Sequence, residues 1–154
     1  MYFDESGVAD TLSYAYGWAQ KGQRCFAQKL GHATQRLSMM AAWSAGKMFA
    51  AMTFEGYCDS VLVETYVKKV LLPELGPGQT LILDNASFHR KAILTELLAT
   101  LDCELLPLAP YSPHLNKIEP LGQRIKSELA KIADPALSFH DKLNQAFVTV
   151  ASKS

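Results

Sequence analysis

The stretch "TLILDNASFHRKAILTELLATLDCELLPL", residues 80–108, constrains this chain more than any other. The apolar run "TLIL" reads as a short, fully buried strand that ends on Asp84. After a polar turn, "KAILTELLATL" sets Ile93, Leu94, Leu97, Leu98 and Leu101 on one face of a helix. "CELLPL" is a second short strand. A strand, a helix and a strand in this order form a crossover unit, which makes the two strands parallel. Ligand sites in such sheets lie beyond the C-terminal ends of the parallel strands, where Asp84 stands.

The flanking segments extend this unit. "MYF" is a first strand leading to Asp4, and "LSYAYGWA" (12–19) an aromatic-rich strand ending near the turn "KGQ". "CFAQKL" (25–30) continues that hairpin. Residues 35–56 read as two strands about a turn at Ser44 to Lys47. Ala and Met are weak strand formers, so a helix is the alternative there. "SVLVETYVKKVLL" repeats Val63, Val67, Val70 and Leu71 at helical spacing and is stopped by Pro73. "APYSPHLNK" is a proline-bounded loop. A helix then carries Ile118, Leu121, Ile125, Leu129 and Ile132. The last helix opens at Ser138, with Asp141 as capping-box partner, and buries Phe139, Leu143, Phe147 and Val150. Antiparallel strands followed by strand–helix alternation predict an α/β fold, one mixed sheet with helices on its faces. The 154 residues are the size of one domain.

Composition narrows the function. Lys+Arg and Asp+Glu are both 15, and the pI is ≈ 6.9, which argues against a free-standing, strongly basic nucleic-acid binder. A nuclease-type core that draws its affinity from another module stays open. Cys25, Cys58 and Cys103 are odd in number and lack CxxC spacing, so zinc and a disulfide framework are poor readings. Scattered thiols fit a reducing, cytoplasmic setting. "MYFDESG" is no signal peptide, and no apolar run reaches the roughly 18 residues of a membrane span.

Three acids stand at element junctions: Asp4, Asp84 and Glu119. Each has a bland reading. Asp4 can be a turn acid in "DESG", Asp84 can form an Asx-turn, and Glu119 can complete a capping box with Asn116. Together, two Asp and a Glu are hard oxygen ligands for Mg²⁺ or Mn²⁺ and not for zinc. Two-metal phosphoryl chemistry needs such carboxylates, held on separate rigid elements.

"DESG", "YGWAQKGQR", "LILDNASFH" and "LAPYSPHLNKIE" resemble the catalytic core of bacterial insertion-sequence transposases of the mariner-like superfamily. The likeness runs from residue 4 to about residue 130. Its most specific parts are Asp84-Asn85-x-x-x-His89 and the run from Pro110 to Asn116. The 34 residues between Asp84 and Glu119 match the family's spacing. The resemblance implies a ribonuclease-H-like α/β fold, a mixed five-stranded sheet flanked by helices. It makes Asp4, Asp84 and Glu119 a DDE triad holding two Mg²⁺ or Mn²⁺ ions. It implies DNA cleavage at transposon ends and strand transfer into target DNA at TA dinucleotides. The active complex would be a homodimer in the bacterial cytoplasm, associated with the nucleoid when bound to DNA. Asn85, His89, Tyr111, Ser112, Asn116, Arg124 and Lys126 are the candidate DNA or active-site contacts.

The chain also departs from the family. Here the order is "NKIEP", whereas the family usually has Asn-Pro ahead of the glutamate. Pro120 at the first helical position would make Glu119 the N-cap. Gly122 stands where the family usually has Trp, at a cost of about 1 kcal/mol in helix propensity relative to Ala. The chain starts three residues before Asp4, so the family's N-terminal helix-turn-helix domains are read as absent. Residues 1–154 are then a catalytic domain alone, with a separate helix-turn-helix polypeptide as a partner. The alternative is a catalytically inactive remnant that serves as a binding or dimerisation module. A nuclease of the same fold without a role in transposition is a further rival.

Overall fold

The computed structural model describes residues 1–10, 19–24, 35–110 and 112–153. Five strands form one sheet: β1 (Tyr2–Ala9), β2 (Arg36–Ser44), β3 (Lys47–Glu55), β4 (Thr80–Leu83) and β5 (Glu104–Pro107). Their order is β3-β2-β1-β4-β5. β1, β2 and β3 are antiparallel neighbours, while β4 pairs in parallel with both β1 and β5. The sheet is therefore mixed, as the sequence pattern predicts. The strands read at 12–19 and 25–30 fall, but for residue 19, outside the described residues.

Among the described residues four α-helices cover it: α1 (Ser60–Tyr66), α2 (Lys91–Ala99), α3 (Glu119–Lys131) and α4 (Phe139–Ala151). α1 continues through a π-helical turn, Val67–Leu71, and a 3-10 turn, Leu72–Glu74, in which Pro73 ends it. One core lies between the sheet and α1/α2, around Phe3, Tyr66, Leu81, Leu83, Leu94 and Leu98. The other lies between the sheet and α3/α4, around Leu37, Met39, Ile125, Leu129, Leu143 and Phe147. Each such side chain contributes about 1.5–3 kcal/mol on burial.

β2 explains how a Met- and Ala-rich segment becomes a strand. Leu37 to Ala42 are all buried, with Met40 and Ala42 in the first core and Met39 and Ala41 in the second. A strand covered on both faces loses the apolar–polar alternation that would identify it. Its hairpin with β3 turns through Ala45 and Gly46, both at positive φ (49° and 85°). That is the two-residue turn whose twist matches the strands.

Two expectations change at element ends. β1 does not stop before Asp4. It runs through "DESG" to Ala9, in register with β2 from Tyr2↔Trp43 to Ala9↔Arg36, so Asp4 is a strand residue and not a turn acid. The ladder to β2 decides this, because it pairs the backbone of "DESG" whatever its side chains suggest. Gly7 admits the Arg36 guanidinium, whose Nη2 lies 2.3 Å from where a Cβ would stand. At the start of α3, Ile118 is the N-cap and Glu119 the first helical residue. Buried Ile118 is already helical (φ −85°, ψ −22°), and its carbonyl accepts from the Leu121 and Gly122 amides. Pro120 at the second helical position sacrifices only an amide that has no partner within the helix. The capping box of Asn116 with Glu119 does not form; the Asn116 backbone carbonyl accepts from the Glu119 amide instead. The Ser138–Asp141 cap of α4 does form, with Ser138 Oγ accepting from the Asp141 amide at 3.1 Å. No helix among the described residues is long and apolar enough to cross a membrane.

Candidate functional site

The parallel register of β1 and β4 builds the site. Tyr2 pairs with Ile82, so the residues two further on, Asp4 and Asp84, stand at the same level on neighbouring chains. Glu119 reaches the same place from the first turn of α3. All three line a cleft of ≈ 720 Å³, together with Asn85, Ser112, Asn116, Gln123 and Lys126. The acids come from a strand, a strand end and a helix start, whereas the sequence reading set Asp4 just past its strand.

The cleft carries an unbalanced negative charge. Burial, then the carboxylates of Glu5, Asp84 and Glu119, push the Asp4 carboxyl up to about 7, against a hydrogen bond that it accepts from the Glu5 amide at 3.0 Å. Asp84 goes the other way. A hydrogen bond from His89 holds it below the usual carboxylate range, helped by the Ala86 amide. Ala86 donates to Asp84 Oδ1 at 3.1 Å, so Asp84 does form its Asx-turn as well as facing the cleft. Among the described residues, the one group of three potential ligand atoms within 4.8 Å of one another is Glu5, Asp84 and His89.

His89 is the part that the sequence left open. It sits in the loop before α2, 5% exposed, with Phe88 edge-on at 4.6 Å between ring centroids. Nδ1 lies 3.1 Å from Asp84 Oδ1, and Nε2 lies 3.1 Å from Glu5 Oε1. Burial opposes its charge, but the facing carboxylates of Asp84 and Glu5 outweigh that and push its pKa up to about 9. Sequence reading missed Glu5 altogether. The available signal was its place next to Asp4: successive strand residues face opposite ways, so Glu5 serves the α1/α2 side of the sheet.

The other candidates divide. Asn85 lines the cleft and accepts a hydrogen bond from Lys91 Nζ. Ser112 lines it and donates to the Pro110 carbonyl at 3.3 Å. Asn116 is 7% exposed, with a buried Oδ1 that has no hydrogen-bond partner. Lys126 lines the cleft, but Arg124 does not; it is exposed, and its charge acts on Glu128 one turn on. The helical spacing that brings Glu119 and Lys126 to the cleft turns Arg124 away from it. Gln123, at the same spacing, lines the cleft and was missed. Tyr111 lies outside the described residues.

The donor set fits a hard divalent cation. Asp4, Asp84 and Glu119 offer carboxylate oxygens only, although the three do not close to within 4.8 Å of one another, and a cation there would relieve the burial and repulsion that raise Asp4. Residues 1–139 match the family described as DDE superfamily endonuclease, and the chain belongs to that superfamily. No curated protein matches it. Among solved structures it is similar to the Mos1 transposase paired-end complex with left transposon end (14% identity, TM-score 0.76), covering 99% of this chain and 47% of that one. The mariner Mos1 paired-end complex with Mg is similar at 16% identity and TM-score 0.68, covering 99% of this chain and 48% of that one. The catalytic core domain of BIV integrase follows at 13% identity and TM-score 0.56, covering 96% and 81%. The sheet and its flanking helices are thus the ribonuclease-H-like fold of these catalytic cores. The chain spans about half the length of the Mos1 transposase.

Proposed function

We propose that this chain is the catalytic domain of an insertion-sequence transposase, which cleaves DNA at transposon ends and joins them to target DNA. The observation that carries the reading is the convergence of Asp4, Asp84 and Glu119 from three elements on one cleft. These carboxylates would hold Mg²⁺ or Mn²⁺, two ions in the full site. The ions would supply activation of the attacking oxygen and charge neutralisation at the leaving one. The chain's own residues orient the substrate. Lys126 and Gln123 on α3, and Asn85 and Ser112 opposite, are placed along the cleft to contact the sugar-phosphate backbone, which positions DNA without reading its sequence. Asn116 also lines the cleft, with its Oδ1 buried and unpartnered behind the surface. End recognition, with a TA target and a homodimeric complex, belongs to the assembly, to which a separate helix-turn-helix polypeptide would contribute.

The test is nicking of supercoiled plasmid with Mg²⁺ or Mn²⁺. Asp84→Asn keeps the Asx-turn and removes the charge, so nicking should vanish. Retained nicking would falsify the assignment of Asp84.

One observation favours a second reading, a core that folds and binds without cutting. The cleft wall at Gly122 is open, and a Cβ there would meet nothing within 4 Å. Glu119 therefore starts a helix with no side chain filling the turn beside it. Gly122→Trp, in a fusion to an end-binding domain, should raise cleavage of a labelled end several-fold if that gap disables the site. Equal cleavage by the unmodified fusion removes this reading.

A further inference from the structure

We propose that His89 and Glu5 are a positioning pair for Asp84, fixing which oxygen of its carboxylate is presented to the cleft. The proposal rests on the reading of Asp84 as a metal-binding carboxylate and goes beyond it in assigning two residues that act through Asp84.

The atoms around Asp84 carry the argument. Oδ1 accepts from the Ala86 amide at 3.1 Å and is ion-paired with His89 Nδ1 at 3.1 Å, while Nδ1 hydrogen-bonds the Asp84 backbone carbonyl at 3.5 Å. The side chain as a whole stays 46% exposed. With Oδ1 held against the loop, Oδ2 is the oxygen left for the cleft. A carboxylate with one oxygen tied back binds a cation through the other in a single orientation, whereas a free one rotates between several.

The imidazole can do this because it is itself fixed. Its side chain is 1% exposed, packed edge-on to Phe88 and tilted against Phe3 at 6.2 Å. Its far nitrogen meets Glu5 Oε1 at 3.1 Å, off-line for a hydrogen bond. Both Nε2 and Glu5 Oε2 are buried with no hydrogen-bond partner. That contact is a dry ion pair, and a buried charge left without its partner is costly, so each member holds the other in place. The next residue, Arg90, is clamped to Glu64 of α1 by two bonds of 2.5 and 2.7 Å, which anchors the loop. Glu5 thus backs His89, His89 backs Asp84, and the chain of contacts runs from β1 to the end of β4.

The experiment is calorimetric titration of the whole chain with Mn²⁺, alongside metal-free melts. His89→Asn places an amide where Nδ1 was and keeps a donor beside the Asp84 carboxylate and carbonyl. His89→Gln places one where Nε2 was and loses it. Supporting partners of metal ligands are typically worth about 10–100-fold in affinity. His89→Gln should therefore weaken Mn²⁺ binding about 10-fold or more, while His89→Asn stays within a few-fold of the unmodified chain. Glu5→Gln, which leaves the Asp84 bond in place, should fall between them and serves if His89→Gln does not fold. Equal affinity in the unmodified chain and in His89→Gln, or in Glu5→Gln if that variant must serve, overturns the proposal while leaving the metal site standing. No Mn²⁺ binding by the unmodified chain overturns the metal reading and the positioning role with it. A ¹⁴N coupling to bound Mn²⁺ in pulsed electron paramagnetic resonance would make His89 a direct ligand and also overturn the proposal.

Discussion

Asp4 and Asp84 are the same residue type in one cleft, yet their surroundings give them opposite effects on stability. Asp4 is pushed up to about 7 by burial and by neighbouring carboxylates. Its folded pKa lies above the unfolded 3.8, so the native state binds the extra proton, and stability is lost as pH rises from about 4 to about 7. Asp84 is held low by His89, so it contributes stability above its unfolded pKa that is lost as pH falls through the folded value. In metal-free melts at pH 8, Asp4→Asn should raise Tm and Asp84→Asn should lower it, although both should abolish nicking. Shifts of the same sign would contradict this electrostatic picture. The acids were legible because their chemistry and spacing are unusual. Glu5 was not, because its partner His89 lies 84 positions away in sequence and only the pairing of β1 with β4 brings them together.

At the scale of elements, periodicity gave β4, α2, β5, α3 and α4 because each buries one stripe or a short apolar run. It failed where a neighbour decides. β1 was cut short at Asp4, since "DESG" has the composition of a turn and the ladder to β2 cannot be seen in it. The start of α3 was placed a residue late, since proline chemistry is local and the burial of Ile118 is not. Gly122 offers a test of that helix. It is helical, its φ is not positive, and an added Cβ meets nothing. Gly122→Ala should stabilise the fold by about 0.5–1 kcal/mol through lost unfolded-state freedom, or about 1–4 °C in Tm. A lower Tm would mean that the open wall is needed by the packing of α3.

At the scale of the whole molecule, two groups beside the cleft set how stability changes with pH, Asp4 being the first. His89 acts in the same direction as Asp4, because its folded pKa of about 9 lies above the unfolded 6.5. The stability it contributes is fully present below pH 6.5 and lost as pH rises through about 9. The metal-free protein should therefore weaken steadily from about pH 4 to 9. Cation binding competes with the proton on Asp4, so the rise in Tm produced by about 10 mM Mg²⁺ should be larger at pH 8 than at pH 6. An equal rise at both pH values would place the ion away from Asp4.

The dipeptide Asp4-Glu5 gives the sheet one acid on each face. The ladder from Tyr2↔Trp43 to Ala9↔Arg36 decides which acid goes where. That ladder works as a reading frame does for a gene. A slip of one residue turns every side chain of β1 to the other face. The cleft would then receive a glutamate, and the imidazole would be offered an aspartate one methylene too short. Both residues would still be present, and the sequence would still show its acids, but the message would be nonsense. Small insertions within β1 or β2 should for that reason be far more damaging to this chain than substitutions at most of the same positions.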